Sequence, residues 1–159
     1  MTFTFLPPRS EPIDYYGPHR VINTWESVER ELARMLDHMY GMAAIKWRIN
    51  FETQDFWDFF MTFQQLPMPS NGMIIGCAGT AAMKKGKSMR PEQESALLKM
   101  GFSAPTESEP RWLIEISESE REYDQLARIV VHIMDYGYLF NPNFLVSSDI
   151  VDVVAIDAQ

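Results

Sequence analysis

Apolar residues change their spacing several times along the chain, and each change marks an element. Trp25, Val28, Leu32, Met35, Leu36 and Met39 recur at three- and four-residue intervals, which predicts an amphipathic helix. Asn23 or Thr24 can cap its start, and Gly41 ends it. Beyond Gly41 the interval falls to two. Over 44–51, Ile45, Trp47, Ile49 and Phe51 alternate with Lys46, Arg48 and Asn50, so a strand with one buried and one wet face is expected. Over 56–64 the density of aromatic residues favours a second strand. A turn cluster over 66–72 leads to a third strand over 73–80, where Gly76 and Gly79 suggest a bulge or a close backbone approach.

The helical period returns after Arg90. Pro91 suits a first helical position, Ser88 can cap, and Gly101 stops the helix. A polar linker over 103–110 precedes a strand over 111–116. The last helix, over 120–136, carries a wide apolar stripe from Tyr123 to Met134 and closes at Gly137. At the two ends the pattern weakens. Residues 1–21 form a Pro-rich arm, extended until something docks on it, and 147–159 form a tail whose apolar 150–156 suits an edge strand or an intermolecular contact. The expected architecture is α+β: an antiparallel sheet of about four to five strands with helices packed on one face, in the order helix, three strands, helix, strand, helix, over a single domain at 22–146.

Composition narrows the function classes. The 159 residues carry 14 basic and 22 acidic side chains, a formal charge of -8, which disfavours nucleic acid and anionic lipid as partners. The basic knot Lys84, Lys85, Lys87 and Arg90 lies in a Gly-containing loop without interleaved aromatics and is read as a solvated loop. One cysteine, no signal-peptide pattern and no long apolar run point to the cytoplasm, with no membrane insertion.

Catalytic chemistry is hard to find. His19, His38 and His132 fall into no metal-ligand spacing, so neither metal nor cofactor is expected, and His38 and His132 read as surface residues near helix C-termini. Cys77 sits on an apolar strand without a basic neighbour and reads as filler. The acids Glu115, Glu118, Glu120, Glu122 and Asp124 read as the solvated start of the last helix. Eleven methionines, among them Met35, Met61, Met73 and Met100, are adaptable gap-fillers that serve cores and promiscuous surfaces alike. Strand alternation places Phe56 and Phe60 opposite the apolar face, beside Lys46 and Arg48. These four form the candidate peptide-docking surface, unless a helix or the arm covers it.

Two local phrases carry a resemblance. Leu97-Leu98-Lys99-Met100-Gly101-Phe102 with Pro105, followed by Arg111-Trp112, is similar to an "L-x-x-L-G-W/F-x-x-P" phrase and the strand after it. The last helix running into Tyr136-Gly137-Tyr138, Pro142 and Leu145 is similar to a closing "aromatic, Pro-x-x-L" phrase. With Trp25 opening the first helix, the stretch 22–146 resembles the type III secretion chaperone and YbjN-like peptide-binding chaperone superfamily, TY-Chap. Met100 stands where that phrase has leucine. The resemblance implies a non-enzymatic protein that binds an extended segment of a client, often as a homodimer and without ATP. An assembly subunit pairing through its C-terminal strand is the alternative, and a small enzyme is a third.

Overall fold

A computed structural model describes residues 3–10, 24–41, 46–51, 59–140, 142 and 151–156. Helix α1 (Trp25–Gly41) starts where Thr24 and Ser27 exchange hydrogen bonds. The Thr24 N–H donates to Ser27 Oγ (3.0 Å) and the Ser27 N–H donates to Thr24 Oγ1 (3.2 Å), satisfying first-turn donors. Its Val28, Leu32 and Leu36, at i, i+4 and i+8, are all buried.

Strands β1 (Lys46–Phe51), β2 (Phe59–Gln65), β3 (Met73–Cys77), β4 (Trp112–Ile116) and β5 (Val151–Ile156) form one antiparallel sheet, ordered β4-β3-β2-β1-β5. The alternation read in the sequence decides which face is buried. Ile49, Met61, Phe63, Met73, Ile75, Cys77, Trp112, Ile114 and Ile116 share the core with the helices. The tail's apolar run is thus an edge strand of this sheet, paired along β1. β3 is shorter than expected: it ends at Cys77, and a single 3₁₀ turn (Thr80–Ala82) follows.

Helix α2 (Pro91–Met100) has the expected bounds, but its cap is not Ser88. The Arg90 N–H donates to the Gln93 side-chain carbonyl (2.9 Å), and Gly101, at φ +110°, closes the C-terminus in the left-handed conformation. The last helix is three pieces rather than one. A 3₁₀ turn (Ser119–Arg121) precedes α3 (Tyr123–His132), and a π-helical turn (Ile133–Gly137) ends it. That widened turn carries the chain into Tyr138, which is buried and donates from its hydroxyl to the Ala78 carbonyl (2.7 Å).

The two edges of the sheet differ. On β4 the outward N–H and C=O of Leu113 both bond Ser103, and just past the strand the Ser117 N–H is held by Glu120 Oε1 (2.9 Å). On β5 one side faces β1 and no described strand lies on the other.

Candidate functional site

The register lines up the candidate residues in rows across the sheet. Lys46 stands opposite Gln64, which pairs with Ile74, which pairs with Glu115. Arg48 stands opposite Thr62, then Gly76, then Leu113. Phe60 is paired with Asn50, one row further on. Lys46 and Arg48 are half-buried, as are Thr62, Ile74 and Leu113, whereas Gln64 and Glu115 are exposed. Three of the four candidates therefore fall within neighbouring rows. Phe56, the fourth, lies outside the described residues.

The second row is closely fitted. Arg111 is ion-paired to Glu109 (2.5 Å) and donates from Nη1 to Thr62 Oγ1 (3.0 Å), so its guanidinium reaches over the sheet. A Cβ on Gly76 would sit 2.6 Å from Thr62 Oγ1 and 3.3 Å from Arg111 Nη1, which is why the position is glycine. The result is a surface of half-buried apolar and basic side chains with a polar rim, able to meet an extended chain.

A cavity of about 340 Å³ opens at the N-terminal end of β4, lined by Thr80, Ala81, Glu94, Pro105, Pro110 and Trp112 among others. Neither Cys77 nor His132 lines it. Cys77 is fully buried, and burial pushes its thiol far above the ordinary range, which removes the thiolate a nucleophile needs. Among the described residues no group of three or more His, Cys, Asp or Glu is placed to hold a metal ion. No described helix is long and apolar enough to cross a membrane.

Two residues read as surface groups are not. Glu120 is buried, its Oε1 accepting from the Ser117 N–H and hydroxyl and its Oε2 from the Phe3 N–H (2.9 Å). His132 is half-buried and stacked on Tyr136, with ring centroids 4.3 Å apart, and its Nε2 accepts the Leu6 N–H (2.9 Å). Burial, and to a lesser extent the nearby Arg9 charge, lowers its pKa to about 4 against an opposing pull from Asp135. The arm explains both departures: residues 3–10 dock on α3 and the π turn. The alternation of Phe3 and Phe5 with Thr2 and Thr4, just before Pro7 and Pro8, was the signal of an extended segment needing a partner.

The methionines divide along similar lines. Met61, Met73 and Met100 are core, Met35 is half-buried against it, and Met68 is 74% exposed. The L-x-x-L-G-F-like phrase is a packing device too, because Leu97, Met100 and Phe102 are all buried around the Gly101 cap.

No curated protein and no solved structure gives a match to this chain. A family model does, over residues 18–150, and its description is "T3SS (YopN, CesT) and YbjN peptide-binding chaperone 3". Since the match spans most of the chain and takes in α1 to α3 and β1 to β4, the protein belongs to the TY-Chap3 family of peptide-binding chaperones.

Proposed function

We propose that this chain is a non-enzymatic chaperone or adaptor that holds an extended segment of a client protein against the sheet face bearing Lys46, Arg48, Phe56 and Phe60. Membership of a peptide-binding chaperone family carries the reading. The register supports it by setting Lys46, Arg48 and Phe60 in neighbouring rows across β1 and β2. The client belongs to a secretion or toxin-delivery system, and binding takes place in the cytoplasm. The basic pair supplies attraction for acidic client residues, and the aromatic pair supplies apolar contact.

The test is binding of unfolded client segments by the full chain and by a Phe56→Ala, Phe60→Ala variant. Affinity is expected to fall about tenfold or more while the melting temperature stays nearly constant. A large fall in melting temperature would make these side chains part of the core and sink the assignment.

The edge position of β5 favours a second reading, an assembly subunit that pairs through this strand. Light scattering on the full chain over a wide concentration range decides it. A monomer throughout removes the reading.

A further inference from the structure

The arm is bound to the body of the protein as a peptide ligand would be. Of its four consecutive N–H groups from Phe3 to Leu6, three are taken up by the body. The Phe3 N–H donates to Glu120 Oε2 (2.9 Å), that of Thr4 to the Met100 carbonyl (3.0 Å) and that of Leu6 to His132 Nε2 (2.9 Å). Pro7 and Pro8 follow, which have no N–H to satisfy. Side-chain recognition is added at both ends. Phe3 is buried in the core cluster and meets Phe5 and His132 edge-on, at 5.1 and 5.9 Å between centroids. Arg9 lies over the Tyr136 ring at 4.0 Å and donates to Asp135 through Nη1 to Oδ1 (2.9 Å) and Nη2 to the carbonyl (2.6 Å).

Main-chain capture combined with a few side-chain anchors is how proteins bind extended peptides of varied sequence. The anchoring is also shallow. Phe5 is 41% exposed, Thr4, Pro7, Pro8 and Ser10 are exposed, and among the described residues of the arm only Phe3 is buried. A segment held by so few buried contacts opens at much lower cost than the core it rests on. The acceptors and anions of the groove (Glu120, His132 Nε2, Asp135) complement main-chain donors and a basic side chain.

We infer that the groove formed by the C-terminus of α2, the face of α3 and the π turn is a second peptide-binding site, occupied in cis by the chain's own arm. It takes an extended segment with an aromatic-x-aromatic-apolar pattern and a basic residue three positions beyond. A client segment of that pattern binds by displacing the arm, so the arm tunes affinity as a tethered competitor. That clients use the groove rests on the peptide-binding reading above. The groove itself does not.

The test uses a fluorescent peptide of residues 2–10 as probe. Against the full chain it binds weakly, because the arm is in place. Against the full chain carrying Phe3→Ala and Arg9→Ala it binds at least tenfold more tightly. Adding Asp135→Arg abolishes that gain for the original peptide and restores it for a peptide with Arg9→Glu. A folded arm variant that binds the probe no better than the parent, or a gain indifferent to Asp135→Arg, overturns the inference. Should the arm variant fail to fold, hydrogen exchange at the Leu6 amide of the unaltered chain decides. Excess peptide accelerates it if the arm is displaced, and an unchanged rate overturns the inference. None of these readouts involves Lys46, Arg48, Phe56 or Phe60, so failure here and failure of the sheet-face proposal are separate results.

Discussion

Gln93 and Tyr138, 45 residues apart, are joined by a 2.8 Å hydrogen bond from Gln93 Nε2 to the Tyr138 carbonyl. The other end of the same amide accepts the Arg90 N–H that starts α2, so one buried side chain ties a helix N-terminus to the exit of the π turn. Gln93→Ala removes the bond that each backbone group makes to this amide and is expected to cost about 1–3 kcal/mol in urea unfolding. Gln93→Glu is expected to be worse at neutral pH, since a carboxylate cannot donate to the Tyr138 carbonyl.

Glu120 serves two masters with two oxygens: Ser117 with one and Phe3 with the other. Glu120→Gln keeps one carbonyl oxygen, so one of these contacts is given up. Hydrogen exchange at the Phe3 or Ser117 amide is expected to accelerate about tenfold, corresponding to loss of a hydrogen bond worth about 1.4 kcal/mol. Unchanged exchange at both amides would contradict this.

The sheet face offers a test of coupling. Gly76→Ala is expected to destabilise by about 1–3 kcal/mol, because its Cβ meets Thr62 Oγ1 at 2.6 Å. Thr62→Ala removes that oxygen, and the double variant is expected to be more stable than the sum of the single losses by about 0.5 kcal/mol or more. Strict additivity in denaturant titrations would show that the clash is relieved elsewhere.

Arm docking is expected to depend on pH through His132. Its pKa in the docked state, about 4, lies below the ordinary 6.5, so the undocked state binds the proton more readily. Docking is therefore at full strength above about pH 6.5 and weakens as pH falls toward 4. The charged groups around the imidazole are Arg9 on the arm, which opposes protonation, and Asp135 on the π turn, which favours it. Arg128 lies 5.7 Å from the Phe5 ring centroid and Glu120 holds Phe3, completing the charged surroundings of the arm. Exchange at the Leu6 amide, corrected for its intrinsic pH dependence, is expected to accelerate over this window. In a His132→Gln variant the same window is expected to be flat.

Much of this architecture was legible from local pattern. α2 carries its own punctuation, Pro91 at one end and Gly101 at the other, and its bounds follow from them. β1 follows from the strict alternation of Ile49 and Phe51 with Arg48 and Asn50. β2 is described from Phe59 to Gln65, within the aromatic run that favoured a strand, and the expected start at 56 lies outside the described residues. The features around the arm were hidden for a different reason. Whether Glu120 is a solvated helix acid or a buried double acceptor depends on a donor 117 positions away, and His132 likewise on one 126 positions away. The breaks in the last helix were invisible too, since the apolar stripe from Leu126 to Met134 suits an α-helix throughout and the widened turn answers to packing around Gly137 against Leu97 and Met100. Of the candidate surface, alternation correctly grouped Lys46 and Arg48 on one strand, but it could not show how closely Arg111 and Thr62 close over Gly76 two strands away.

The unequal edges of the sheet restrict the symmetry that pairing of described strands between copies could have. With Leu113 bonded to Ser103 and the Ser117 N–H held by Glu120, β4 offers Glu115 alone between two occupied positions, too short a run to template another strand. A head-to-tail contact of β5 on β4 therefore has no acceptor surface, and among the described strands only β5 can receive a copy of itself. Such a contact is two-fold and consumes the edge that makes it. Pairing through the described edges would thus terminate at two subunits, and the open-ended fibre that a sheet with two bare edges would permit is closed off by one serine bridge and one buried glutamate.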